Sequence, residues 1–217
     1  MAAKIITVFN QKGGSGKTTT SCNLAGVLGL RGYKTLLVDL DDQGTATLSV
    51  GAASDDRPFP AALSNLSRSP RPDREIAKFV DDYQYIVIDC PPAIRSSAPS
   101  VALLISDLGL IPVGASGGNL WAVQEAKKLA LTARVSNPDL KLWSLANMDQ
   151  KVTIVQQIFE AVAKDEDISM LQTRLGFRTA YKEAEVSGTT VLQIRGAKAA
   201  HKEINAFVDE VLEIVGG

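Results

Sequence analysis

Five short runs of this chain are apolar almost from end to end instead of at alternate positions: residues 5–9, 35–39, 85–89, 108–113 and 140–145. A strand with one wet face alternates, whereas a strand covered on both faces does not. Stretches of helical length lie between or after them, at residues 17–30, 74–82, 97–106, 120–135 and 152–164. Strands separated by such helices are joined by crossovers, which makes them parallel and places helices on both faces of the sheet. The expected fold is α/β: a single domain over residues 1–217 with a mostly parallel β-sheet between two helical layers. That length suits one domain with a sizeable core. Residues 51–73, rich in Ser, Pro, Asp and Arg, read as a surface loop with room for one short helix, and a final helix is expected over about residues 197–215.

The first strand runs into Asn10-Gln11-Lys12-Gly13-Gly14-Ser15-Gly16-Lys17-Thr18-Thr19 and then a helix. Successive backbone N–H groups in such a loop converge on phosphate oxygens, and the helix N-terminus adds the positive end of its dipole. Glycines let the backbone come close. Gly13, Gly14, Ser15, Gly16, Lys17, Thr18 and Thr19 are thus expected to cradle a nucleotide, with Lys17 on the β and γ phosphates and the Thr18 hydroxyl on Mg²⁺. The strict pattern wants Gly where Gln11 stands. What matches is the deviant Walker A form, with a second lysine, Lys12, at its start, and this makes the expected class a P-loop NTPase binding ATP.

Three carboxylates fall at strand ends, where open α/β sheets bind ligands. Asp89 closes the third run, before Cys90-Pro91-Pro92, and reads as the Walker B aspartate acting through a magnesium-bound water. Asp39 and Asp41 follow the second run, and strand alternation puts them on one face if the strand continues that far. Asp39 is then the nearer to the metal, and Asp41 is placed to orient the attacking water. The expected metal set is Thr18, Asp39 and Asp89, and the expected catalytic set Lys12, Lys17 and Asp41. Taken singly, an acidic residue at a strand end serves equally well as a helix cap.

The formal net charge is −1, so nucleic-acid contact has to come from a local patch. Cys22 and Cys90 form no CxxC pair, and a single His completes no zinc set. Isolated cysteines of this kind fit a reducing cytosol. The chain shows no secretory leader and no apolar run long enough to span a bilayer.

The segments KGGSGKTTT at 12–20, VDLDDQGTAT at 38–47 and VIDCPP at 87–92 resemble the ParA/MinD family of ATPases. The likeness is strongest up to residue 92. It implies a monomer that binds ATP and Mg²⁺, closes into a face-to-face homodimer and hydrolyses ATP to ADP and phosphate. It also implies that the second lysine, here Lys12, reaches phosphates on the partner subunit, where a cation offsets charge on the transferred group. Two departures stand out. Asp42 replaces the proline usual in the first switch, which should loosen that loop. Gly114 replaces a usual glutamine. Residues 111–122, with Trp121, resemble the small partition ATPases, including those that space carboxysomes, and there Trp121 reads as a core or interface aromatic. Asn147 follows the fifth strand, where relatives contact adenine, although a turn-forming Asn fits as well.

From Met170 to Lys202 the cations Arg174, Arg178, Lys182, Arg195, Lys198 and Lys202 face only Glu183 and Glu185. Arg195-Gly196-Ala197 resembles the opening of the last helix in ParA relatives, where basic residues bind DNA without sequence preference, mostly by neutralising phosphates. No helix-turn-helix precedes the first strand, so operator reading is not expected. The resemblance implies a cytoplasmic, nucleoid-associated switch that positions a plasmid, chromosome or carboxysome, with a ParB-like or McdB-like activating partner and no membrane. The alternatives are a MinD-like positioning ATPase and an ATP-dependent metabolic ligase of the same fold. The final helix is amphipathic but acidic, with no Lys or Arg after Lys202, so its apolar stripe reads as core packing and not as a membrane anchor.

Overall fold

The computed structural model of the chain describes residues 2–92, 96–114, 119–150 and 152–216. Its elements in chain order are β1 (Lys4–Val8), α1 (Lys17–Leu30), β2 (Thr35–Asp39), α2 (Thr45–Gly51), β3 (Ala62–Asn65), α3 (Pro72–Ala77), β4 (Tyr85–Asp89), α4 (Ala98–Leu103), β5 (Leu108–Val113), α5 (Asn119–Arg134), β6 (Lys141–Asp149), α6 (Thr153–Ala163), β7 (Ser169–Gly176), α7 (Thr179–Val186) and α8 (Lys198–Gly216). The strands form one seven-stranded sheet in the order β3-β2-β4-β1-β5-β6-β7, with every neighbouring pair parallel.

The five uniformly apolar runs are the five inner strands. The two outer strands were not expected. β3 lies in what reads as a loop at 51–73, and β7 in the segment read only for its charges. Both are edge strands with exposed positions along their length. Side chains at a sheet edge need not be apolar on both faces, so the criterion that finds inner strands passes over them. α2 and α7, short and polar on their outer sides, were likewise unforeseen. α3 starts two residues earlier than expected, with Pro72 in its first turn, and stops at Ala77.

Helices cover both faces. One core holds side chains of α3, α4, α5 and α6, including Ile76, Leu103, Ala126 and Phe159. The other holds α1, α2, α7 and α8, including Leu24, Ala46, Tyr181 and Phe207. α8 buries Ile204, Phe207, Val208, Val211 and Val215. Withdrawing each from water is worth roughly 1.5–3 kcal/mol, so this stripe belongs to the core, as its acidic flanks implied. Among the described residues no helix is long and apolar enough to cross a membrane. Trp121 is no core residue: it stands 79% exposed on α5. Residues 115–118 of the stretch around it lie outside the described residues.

Candidate nucleotide site

β1 lies mid-sheet between β4 and β5, and the loop that leaves its carboxyl end is anchored at several points. Asn10 Nδ2 donates to the Pro112 carbonyl at 2.8 Å, and the Lys12 N–H donates to Asn10 Oδ1 at 3.2 Å. The Ser15 hydroxyl donates to the Lys12 carbonyl at 3.3 Å. Gly16 caps α1 at φ 84°, a left-handed value that glycine alone adopts without strain. A Cβ there would meet Asn147 Nδ2 at 2.2 Å. Asn147, buried at the end of β6, donates from that nitrogen to the Ser15 carbonyl at 3.1 Å and to Thr20 Oγ1 at 3.4 Å. Gly13 and Gly14 are exposed, with nothing near a Cβ at either. Thr19 accepts at its carbonyl from Asn23 Nδ2 at 2.9 Å.

Lys17 is 6% exposed, and its ammonium donates to the Lys12 carbonyl at 3.1 Å. Burial lowers its pKa, while the charges of Asp89 and Asp41 act the other way. The Thr18 hydroxyl donates to Asp89 Oδ2 at 2.8 Å, and the Ser21 hydroxyl donates to Asp89 Oδ1 at 3.0 Å. Ser21 was not singled out from the sequence. It lies one helical turn after Lys17, facing β4, and the only signal for it was that spacing. Asp89 is wholly buried. Burial pushes its carboxyl up to about 7, against the Thr18 and Ser21 hydrogen bonds and the Lys17 charge. A buried carboxylate that its protein neighbours do not hold ionised suits a site completed by a divalent cation. Among the described residues no group of three or more His, Cys, Asp and Glu is arranged for a metal.

Asp39 and Asp41 stand in different surroundings. β2 ends at Asp39, so alternation does not carry on to Asp41. Asp39 Oδ2 accepts from the Thr47 N–H at 2.9 Å and the Thr47 hydroxyl at 2.6 Å, and Oδ1 accepts from the Asp41 N–H at 3.0 Å. Its carboxylate therefore tethers the first turn of α2, the helix-cap alternative, with one lone pair of Oδ1 left for a metal-bound water. Asp41 turns into a cleft of about 860 Å³ lined also by Lys12, Gly13, Asp42, Pro91 and Pro92. Its Oδ1 accepts from the Gln43 N–H at 3.0 Å. Burial raises its pKa, the Gln43 N–H opposes this, and the Asp42 and Asp39 carboxyls add to the rise. The loop without its proline carries further ties, from the Gly44 N–H to the Asp41 carbonyl at 2.9 Å and from Gln43 Nε2 to Asp42 Oδ1 at 3.2 Å.

The basic segment is spread over two sides of the sheet. All six cations are exposed. Arg174 points toward α6, stacking over Phe159 and donating to Gln156 Oε1 at 2.5 Å. Arg178 pairs with Glu203 through Nε at 2.9 Å and through a second, shorter contact. Glu203 lies one residue beyond the segment whose charges were weighed, so the local excess is smaller than it looked. Lys182 sits over the Phe177 ring. Arg195, Lys198 and Lys202 make no ion pair among the described residues; Arg195 precedes α8, and Lys198 and Lys202 lie in its first two turns.

An AAA domain family model matches residues 3–67, from β1 past the switch loop. The maintenance of carboxysome distribution protein A of Halothiobacillus neapolitanus is 31% identical over 211 residues, 95% of each chain. The sporulation initiation inhibitor protein Soj of Bacillus subtilis is 31% identical over 204 residues, 74% of this chain and 79% of the relative. Among solved structures, apo McdA of Cyanothece superposes with a TM-score of 0.79 at 18% identity, covering 96% of this chain and 99% of that one. Cobyrinic acid a,c-diamide synthase of Mycobacterium smegmatis, bound to ADP and magnesium, gives 0.74 at 21% identity, covering 97% and 94%. At those identities the two structures speak to the fold alone. The two sequence relatives carry the assignment further, because each is 31% identical and is matched over more than two thirds of both chains: this protein belongs to the ParA/MinD family of ATPases, with the small ParA-type members.

Proposed function

We propose that this protein is a positioning ATPase: it binds ATP with Mg²⁺, closes face to face with a second copy, binds DNA without sequence preference as a dimer, and is released when a ParB-like or McdB-like partner stimulates hydrolysis to ADP and phosphate. The observation that carries this is the shared cleft. Lys12 and Asp41, the residues read as the trans-acting cation and the water-positioning carboxylate, line one cleft beside Lys17 and Asp89. Gly13, Gly14, Ser15 and Gly16 supply backbone N–H groups to the phosphates, Lys17 supplies charge, and Thr18 and Asp89 hold the metal directly or through water. Bound Mg²⁺ there neutralises charge on the phosphoryl group being transferred. Asp41 takes up the attacking water on the side of the cleft facing the dimer partner.

The carboxysome-distributing relative is matched over 95% of both chains, which favours a cargo of that kind over a plasmid or chromosome. A cytoplasmic, nucleoid-bound location follows from the DNA step. Against the MinD-like alternative, α8 has its apolar stripe buried, leaving none for a membrane. The metabolic-ligase alternative shares the fold, and stimulation of ATPase activity by small metabolites, with no effect of nonspecific DNA, would favour it. The deciding experiment is Lys12→Ala. We expect monomeric nucleotide binding to persist while ATP-dependent dimerisation, measured by light scattering, and phosphate release are both lost. Retention of both would remove Lys12 from its trans role and return it to an ordinary loop lysine.

A further inference from the structure

We propose that Asn147 is a positioning residue for the phosphate loop, a strap from β6 that fixes the direction of one phosphate-binding N–H, and that its effect on nucleotide affinity does not depend on the base. The inference rests on the ATP-binding reading of the same site and deepens it.

Five observations converge. Both hydrogens of the Asn147 amide are committed, one to the Ser15 carbonyl at 3.1 Å and one to Thr20 Oγ1 at 3.4 Å. The amide oxygen accepts from the Met148 N–H at 2.9 Å. Met148 sits at φ 55°, the only non-glycine residue with positive φ among those described, so the chain takes a disfavoured conformation beside the strap. Gly16 leaves room for the amide, since a Cβ would lie 2.2 Å from Nδ2. The Asn147 side chain is also buried, where water does not substitute for its partners.

The consequence comes from peptide geometry. In a trans peptide the carbonyl of one residue and the N–H of the next point in opposite directions. Holding the Ser15 carbonyl toward Asn147 aims the Gly16 N–H to the other side of the loop, away from the strap. The Gly16 carbonyl is fixed in turn by the Thr20 N–H at 2.9 Å. One side chain thus orients the peptide on which α1 begins. With both hydrogens in use, Asn147 has none to give a base, and only a lone pair of its oxygen is left for one. This differs from a role centred on adenine.

The test is calorimetric titration of ATP, GTP and inorganic tripolyphosphate, each with Mg²⁺, into wild type, Asn147→Asp and Asn147→Ala, with folding followed by far-ultraviolet circular dichroism. Asn147→Asp keeps the shape but replaces the donors with oxygen facing the Ser15 carbonyl. Affinity for all three ligands should fall by a common factor of about ten, as expected for one or two buried hydrogen bonds. A loss confined to ATP, with GTP and tripolyphosphate unchanged, would show that the residue reads adenine and overturn the proposal. Unchanged affinity for all three would overturn it as well. If Asn147→Asp fails to fold, Asn147→Ala and Thr20→Val carry the same comparison without adding a charge. Failure of wild type to bind any of the three would instead defeat the ATP-binding reading on which the proposal stands.

Discussion

Thr18 and Asp89 are hydrogen-bonded at 2.8 Å, hydroxyl to carboxylate, across 71 residues of chain. The contact joins the phosphate loop to the end of β4 at the place where a magnesium ion is expected, and Ser21 holds the other carboxylate oxygen.

Asp89 should make the metal-free, nucleotide-free protein less stable as pH rises. Its folded-state pKa is raised by burial from 3.8 to about 7. Between those values the folded chain holds a proton that the unfolded chain has released, so stability falls with increasing pH across that window and levels off above it. The full effect is on the order of a few kcal/mol. Urea denaturation from pH 5 to pH 8 should show this decline, and Asp89→Asn should flatten it. Added Mg²⁺ and nucleotide should restore wild-type stability at pH 8 but not that of the variant. An identical slope in both proteins would contradict the assignment.

Asp41→Ala should bind ATP with near wild-type affinity and hydrolyse it at least about a hundredfold more slowly, the scale of a lost general-base or water-orienting group. The dimer should then persist with ATP in light scattering. Because Asp39, not Asp41, tethers α2 through Thr47, the variant should keep its fold. Wild-type turnover would take Asp41 out of the reaction.

Duplex DNA binding should need ATP and should fall steeply with salt, with each neutralised phosphate contributing about −0.9 to the log–log slope. Arg195→Ala should weaken binding to all sequences alike, because a phosphate contact carries no sequence information. Arg178→Ala should do less, since Glu203 already neutralises that guanidinium. Glu203→Gln should strengthen binding. Absence of ATP-dependent binding by wild type at low salt would rule out the nucleoid mechanism.

Gly29→Ala tests the packing of α1. A Cβ there would lie 2.1 Å from the Pro60 carbonyl oxygen and 2.7 Å from its carbon, both backbone atoms. Overpacking of this kind costs about 1–3 kcal/mol. The helix-propensity gain of alanine over glycine is at most about 1 kcal/mol. A net loss of stability in urea is therefore expected, and a gain would mean that the loop before β3 yields readily.

What was legible in the sequence follows from how each residue is constrained. The phosphate loop and the inner strands announce themselves because local chemistry fixes them: glycines before Lys17, and apolar runs leading to Asp39 and Asp89. β3 and β7 did not, because edge strands carry polar residues. The exposure of Trp121 and the pairing of Arg178 with Glu203 depend on packing between elements, which no local pattern encodes. The sequence placed Asp39 correctly at a strand end, but its attachment to Thr47 depends on how the switch loop folds back.

The sheet order has a consequence for how the chain folds. β1 pairs with β4 and β5, so its first residue, Lys4, waits for Tyr85, and Ile6 waits for Leu108. Loop closures of that length are slow. During synthesis the phosphate loop is made long before it is secured, since the strap from Asn147 comes 132 residues after Ser15. A chain interrupted before β6 would carry the whole nucleotide-binding motif and lack the contacts that give it its shape.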